Sequence, residues 1–595
     1  MKCLYKAGKK GCTAMKCKIS KHYTFFIFFV LGSCVFILGL QGYTPQQEKQ
    51  EIPKPAYQVE VVVTNVNVIV TDSDGLKVTG LKAENFEIYE GGLLQKLTNF
   101  YEVKGMEVFV PSLEEKEENI APSPQPLPVE SSLFKNKIIF YFDNWQIHPL
   151  NRNRIIKKLE EFIQNNFTNE YPNNEGMIVS LDQKLEILQE FTPNPRKLLS
   201  AVNETKNHSG HSLLQLKEKE DMQMELNRMV SETSMSDNKY ESFQRAMGFA
   251  KNYVESEHNN LIYSLKSLNA LINNLMGVEG KKILIYISDG LTLNPGEVVY
   301  DYLDSAFQVG NARAEAMIYD ATNLFKELIA RCNAAEVTLY PINARGLDSR
   351  ILSADQAEGW NVYGRGSGMI KEMSSVKNEA LKLMAKETGG LSIVDKNNIT
   401  PDLERIGNDL QFYYSLGYRS PRQEDGKYHS VEVKLVGVEE DYKVRVRQGY
   451  ARISQEQRIQ DSVSSRLFLH SQENPLNVKV QVLPVEPMAT SQRRRLKIKI
   501  LIPINHLILY NEGNTYLGKV KAYIALKDSR NQFSPCHELV EEIRIPASDY
   551  EIALKSFYPY VAEMYVEPEE YIISLSIRDL IGEEVSYLQF LKKIE

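Results

Sequence analysis

Lys281-Lys282-Ile283-Leu284-Ile285-Tyr286-Ile287-Ser288-Asp289-Gly290 decides the fold. Five apolar residues run unbroken between two lysines and a Ser-Asp-Gly. A run this short, without alternation, fits a strand buried on both faces, as in a parallel sheet between helices. Ser288-Asp289-Gly290 then stands at the strand's carboxyl end, where open α/β sheets place their ligands. An Asp there holds a metal, caps the next helix or makes the turn.

Ile138-Ile139-Phe140-Tyr141-Phe142-Asp143 repeats the theme. Ile155, Ile156, Leu159, Phe162 and Ile163 follow at helical spacing, then a short strand at Met177–Leu181. Phe191-Thr192-Pro193 introduces a helix carrying Leu198, Leu199 and Val202. This βαβ rhythm implies a parallel sheet with right-handed crossovers. Residues 203–260 interrupt it with a polar, Met-rich, helical insert. Leu261, Leu265, Leu268, Ile272 and Leu275 then stripe a helix leading into the strand at 283. Downstream, Arg313–Cys332 reads as one amphipathic helix, Val337–Ile342 as a strand and Leu391–Val394 as the last strand. The α/β unit spans 133–411.

Valine-rich alternation marks strands over 57–110, where Val66, Val68 and Val70 share one face and Gly91-Gly92 signals a hairpin. Some 45 residues of β structure cannot close a core alone. Alternation returns over 412–452, and these two segments are expected to pair, making the α/β unit an insertion in a β domain. Residues 43–56, 111–132 and 453–475 read as linkers; the second is acidic, then Pro-rich. Residues 476–595 read as a β-sandwich. Within it Arg493-Arg494-Arg495 precedes Leu496, Ile498 and Ile500 alternating with Lys497 and Lys499, the pattern of a strand with a charged outer face.

The chain's 595 residues accommodate three or four domains at roughly 100–200 residues each. A net charge of −7 argues against nucleic acid as the main ligand. Cys3, Cys12, Cys17 and Cys34 crowd the N-terminus, leaving Cys332 and Cys536 beyond, with no zinc spacing and no disulfide framework. A Lys-rich start without acids precedes 17 uncharged residues, Thr24–Leu40. Residues 1–42 therefore read as a signal peptide or anchor. Three forms stay open: a cleaved signal, with translation starting at Met1 or Met15; a lipoprotein acylated at Cys34 in Leu31-Gly32-Ser33-Cys34; or an uncleaved span. Each places the remainder outside the cytoplasm.

Taken together, Ile138–Asp143, Phe191-Thr192, Ile283–Gly290, Val337–Leu347 and Leu381–Gly390 resemble a von Willebrand factor A domain. The exported bacterial VWFA-related type, typical of acidobacteria, is the nearest in pattern. It begins with a β segment similar to Val59–Phe100 and ends similarly to Tyr413–Tyr418 and Arg447–Tyr450. The resemblance covers about residues 57–452; the C-terminal part is similar to the Ig-like tails of such proteins. It implies a doubly wound, mostly parallel sheet bearing a metal-ion-dependent adhesion site. On that basis Asp143, Thr192 and Asp289 are the candidate magnesium or manganese ligands, and Asn144, Trp145 and Ser288 the candidate partner contacts. The family's Asp-x-Ser-x-Ser reads Asp143-Asn144-Trp145-Gln146-Ile147 here, so both serine positions are replaced. The expected function is an extracytoplasmic protein-binding module with a degenerate site, its partner another protein. The alternative is a structural component of a cell-envelope assembly with a vestigial, metal-free A domain. No nucleophile elbow, zinc signature or Ser-His-acid set points to an enzyme.

Overall fold

The computed structural model describes residues 63–595 except 106, 110–134, 209, 234–237, 348–365, 421–426, 439–440, 452, 471 and 489–492. The signal or anchor expected over 1–42, with Met15 and Cys34, and the linkers 43–56 and 111–132 lie outside the described residues. Among those described, no helix is long and apolar enough to cross a membrane.

The described residues open with β1 (Val63–Thr71), β2 (Phe86–Glu90), β3 (Leu93–Gln95), β4 (Leu97–Lys104) and β5 (Glu107–Phe109). In β1, Val66, Val68 and Val70 are buried while Asn65 and Asn67 are exposed. Gly91 and Gly92, both at positive φ, make the β2–β3 turn, a conformation costly for other residues.

The α/β unit is a five-stranded mixed sheet. β6 (Asn136–Asp143) is followed by α1 (Pro149–Asn166), β7 (Asn174–Leu181), β8 (Leu185–Thr192) and α2 (Pro195–Glu204). Next come α3 (Ser212–Thr233), α4 (Lys239–Leu275) and β9 (Lys281–Ser288). The unit closes with α5 (Glu297–Phe307), α6 (Arg313–Ala316), α7 (Thr322–Ala334), β10 (Val337–Asn343), α8 (Gly366–Thr388) and α9 (Thr400–Gln411). The strand order is β10-β9-β6-β7-β8; the first four are parallel and β8 is an antiparallel edge. Alternate residues of β6 feed two cores. Ile138, Phe140 and Phe142 pack with Leu159 and Ile163 of α1 and Leu198 of α2. Ile139 and Tyr141 pack with Leu265 and Leu268 of α4 and Phe325 of α7. Hence the unbroken apolar runs: both faces of these strands are covered.

Three local expectations change. Phe191-Thr192, read only as the lead-in to a helix, are first the end of an edge strand, β8, with the helix following as α2. Leu391–Val394 contributes only an isolated parallel bridge, Ile342 to Ile393. Arg313–Cys332 is not one helix: a 3-10 turn at Met317–Tyr319 separates α6 from α7, and Asp320 accepts from both the backbone NH and the hydroxyl of Thr322.

The insert over 203–260 is helical, as its composition implies, and its geometry matters for the site. α4 has 37 residues, about 55 Å of helix, against about 26 Å for an eight-residue strand. Because its C-terminus leads into the start of β9, the excess projects past the strands' carboxyl ends. There α4 joins α3 and α5 in a separate core of Leu226, Phe243, Ala250, Val299, Leu303 and Phe307.

β11 (Phe412–Arg419) then lies between β1 and β4, antiparallel to both. β12 (Tyr428–Leu435) pairs with β2, while β13 (Lys443–Arg445) pairs with β1 and β14 (Gly449–Ala451) with β12. The segments before and after the α/β unit therefore share sheets, around a core of Val66, Val68, Phe86, Phe100, Tyr414, Leu416 and Val431.

The connector after 452 is more than a spacer. α10 (Gln455–Ser465) seats against the end of α4: Ser462 donates to the Gly277 carbonyl and Ser465 Oγ accepts from Gly277 N, each at 3.1 Å. A Cβ at Gly277 would stand 2.2 Å from Ser462 Cα. Gly277→Ala is therefore expected to pry α10 off and cost about 2 kcal/mol or more of stability, measured by urea denaturation.

Two antiparallel sheets finish the chain. β15 (Lys479–Val482), β16 (Glu486–Pro487), β17 (Arg494–Pro503) and β21 (Phe557–Val566) form one. β18 (Tyr510–Glu512), β19 (Thr515–Asp528), β20 (His537–Pro546), β22 (Glu570–Asp579) and β23 (Val585–Lys593) form the other. Leu496, Ile498 and Ile500 meet Ala522, Ile524, Ile573 and Leu575 between them.

Candidate functional site

The site lies at the carboxyl ends of β6 and β9. Phe142 pairs with Ile287, so Asp143 and Ser288 end adjacent strands and Asp289 follows immediately. Asp143 is fully buried. Tyr286 donates its hydroxyl to Asp143 Oδ2 at 2.5 Å, and Gln146 N donates to Oδ1 at 3.2 Å. The Asp143 carbonyl accepts from Gln146 N and Ile147 N, closing a tight turn. Burial pushes the Asp143 carboxyl up to about 6, against hydrogen bonds from Tyr286, Ser264 and the turn that hold it down.

Asp289 ties β9 to α1. Its Oδ2 accepts from His148 N and Asn151 Nδ2, both at 2.9 Å. It thus braces the N-terminus of the helix after β6 rather than the helix that follows it in sequence, and a carboxylate suits the positive end of a helix dipole. His148 is the N-cap of α1, its Nδ1 accepting from Leu150 N at 3.2 Å. Asp289 Oδ1 is buried without a hydrogen-bond partner among the described residues.

The insert closes over these strand ends through Arg152, which is only 3% exposed. One guanidinium nitrogen donates to Asn144 Oδ1 at 3.0 Å and to the His208 carbonyl at 2.5 Å; the other donates to the Lys206 carbonyl at 3.0 Å. Asn144 also donates to Ser180 Oγ, which meets His208 Nδ1 at 2.9 Å. Trp145 stacks on His211 with ring centroids 4.4 Å apart, leans on Tyr263 and donates Nε1–H to Asn260 Oδ1 at 3.2 Å.

Gly210 permits the closure. Its φ is +68°, and a Cβ there would meet the Asn144 carbonyl oxygen at 1.9 Å. Gly210→Ala is expected to cost about 1–2 kcal/mol from the left-handed backbone alone and to lift the 205–215 segment, read as a red shift of Trp145 emission.

Two expectations about the site residues are corrected. Thr192 is not at this site. It pairs with Gly176, level with Ile138, whereas Asp143 pairs with Leu181. Five residues separate the two levels, about 17 Å along the sheet, because β8 runs antiparallel and carries Thr192 to the opposite end. Nor do Asn144 and Ser288 offer a contact face, being 1% and 0% exposed. Ser288 Oγ accepts from Gly290 N, Asn144 is held by Arg152 and Ser180, and Trp145 is packed beneath the insert.

Magnesium takes six oxygen ligands in near-octahedral array. The residues present do not fit it. Trp145 and Ile147 replace the two hydroxyls, Thr192 is remote, and both Asp143 oxygens already accept hydrogen bonds. Of the candidate donors, the orphaned Asp289 Oδ1 alone is uncommitted.

Sequence reasoning missed Arg152, Tyr286, Ser180 and Asn151. The signal for Arg152 was its position one turn before Ile155 and Ile156, on the buried stripe of α1. Tyr286 was hidden as one more ring in an apolar run.

No known family model matches this chain, and no curated protein matches it. Among solved structures, the PilB minor pilin from Streptococcus sanguinis is 10% identical over 58% of this chain and 87% of its own, with a TM-score of 0.23. A β-glucuronidase from Bacteroides uniformis is 10% identical over 33% of this chain and 20% of its own, with a TM-score of 0.14. Scores this low carry no inference about fold or activity.

Proposed function

We propose that this chain is an exported protein-binding module built on a von Willebrand A-like α/β domain whose strand-end face works without metal. The observation that carries this reading is the pair Asp143 and Asp289 at adjacent strand ends, engaged by Tyr286, His148 and Asn151 and covered by the insert. The A-like reading is supported by four parallel strands with one antiparallel edge between two helix layers. The basic, then apolar start of the chain supports export.

Binding is favoured over catalysis because both carboxylates do structural work under a cap. The cap and the start of α1 supply the contact surface instead: Leu150, 70% exposed, stands at the first turn of α1, and Leu213 and Leu214, 51% and 57% exposed, at that of α3. Paired exposed leucines beside a polar rim suit a protein partner.

Cell fractionation tests export, and photocrosslinking from position 213 in intact cells tests the surface. A crosslinked protein is expected that survives chelation of divalent cations and disappears with Leu214→Asp. A cytoplasmic protein, or a partner released by chelation, would sink this reading.

A further inference from the structure

We propose that the outer face of the β15–β17–β21 sheet binds an anionic polysaccharide. β17 sends Leu496, Ile498, Ile500 and Ile502 into the core, which turns Arg495, Lys497 and Lys499 outward. Two-residue spacing puts these cations about 7 Å apart in a row. β21 pairs along the whole of β17, setting Tyr565 beside Arg495, Glu563 beside Lys497, Val561 beside Lys499 and Phe557 beside Pro503. On the other flank, β15 sets Lys479 beside Leu501 and Gln481 beside Lys499.

The rings are exposed, Tyr565 by 51% and Phe557 by 40%. Eight residues separate them, about 27 Å of strand. Cation and ring form one surface: Lys479 Nζ lies 4.9 Å from the Phe557 centroid, and the Arg495 guanidinium 6.0 Å from that of Tyr565. Glu486 occupies Lys497 and Arg495 at 2.7 and 3.5 Å, but Lys499 and Lys479 have no carboxylate partner among the described residues. The opposite sheet's outer face is covered by α10, with Tyr523 fully buried. Among the described residues no helix covers the β17 face.

A row of cations flanked by two exposed rings matches a linear polyanion whose units also offer flat faces. Strand addition is a poorer match, because Pro559 and Glu563 on β21 blunt that edge. A single-stranded nucleic acid shares the chemistry; choosing a glycan rests on the export reading.

The test uses the full chain with polygalacturonate, neutral dextran and oligothymidylate as probes, at about 50 mM salt. Saturable polygalacturonate binding is expected, with none to dextran. Lys479→Gln with Lys499→Gln should weaken it at least about tenfold and flatten its salt dependence. Tyr565→Ala should weaken it about threefold with the salt dependence kept. Unchanged melting temperatures would show that these surface changes leave the fold intact. No binding, equal binding by the double variant, or tighter binding of oligothymidylate would each overturn the proposal. Fractionation reads out export separately, so either conclusion can fail alone.

Discussion

Asp143→Asn is expected to stabilise this protein at about pH 7.5 by about 2–3 kcal/mol, and to add little at about pH 4. The Asp143 carboxyl titrates at about 6 in the fold against 3.8 as its ordinary value, chiefly through burial. The folded state therefore binds this proton more tightly than the unfolded chain. Its stabilising contribution is complete below about 3.8 and is lost as pH rises through about 6. An amide keeps the neutral form at every pH. Its oxygen can still accept from Tyr286, but its NH2 then faces the Gln146 N–H, and loss of that hydrogen bond offsets about 1 kcal/mol of the gain. Urea denaturation of both proteins across this range isolates the group by difference. A variant less stable than the wild type at neutral pH would mean that the hydrogen bonds holding the carboxylate outweigh the cost of burying its charge.

Arg152→Met should have the opposite sign and the larger effect. Arginine here is a buried cation whose pKa burial lowers, held by oxygens rather than by a carboxylate. Methionine keeps much of the volume but leaves Asn144 Oδ1 and the carbonyls of Lys206 and His208 without this donor. Each buried acceptor so stranded costs about 1–3 kcal/mol, and solvent entry can relieve part of that by opening the cap. A net loss of about 3–4 kcal/mol is expected, with new protease cleavage between residues 206 and 212. In a Trp360→Phe background Trp145 emission should shift red as His211 leaves its face. Arg152→Lys should fall between, since one ammonium cannot span three acceptors in a fork. Unchanged emission in the methionine variant would show that the insert is held by other means.

How much of this was legible in the sequence follows from the length scale of each signal. Continuous apolar runs at 138–142 and 283–287 betrayed a sheet buried on both faces, and alternation at Val66, Val68 and Val70 betrayed a half-buried one. Those patterns are local and strong. β8 was not legible because Leu185–Thr192 is half-buried along nearly its whole length, which blurs the alternation. β21 was hidden by Pro559 and by an outer face that carries Phe557, Val561 and Tyr565, which blurs the alternation. The Asp143 and Asp289 positions were readable from strand ends alone. Thr192 was misplaced because one antiparallel edge strand reverses which end of the sheet a residue occupies. The Arg152 cap depends on residues 50 to 60 positions apart, which no window of periodicity can join.

The measurement that bears most directly on the strand-end face is calorimetric titration of the full chain with magnesium and with manganese, with Asp289→Ala in parallel. With Asp143 committed to Tyr286 and the hydroxyl positions filled by Trp145 and Ile147, no saturable binding is expected up to millimolar metal. Trp145 emission should not move. Saturable binding that Asp289→Ala abolishes would contradict the metal-free reading and return the face to a working adhesion site.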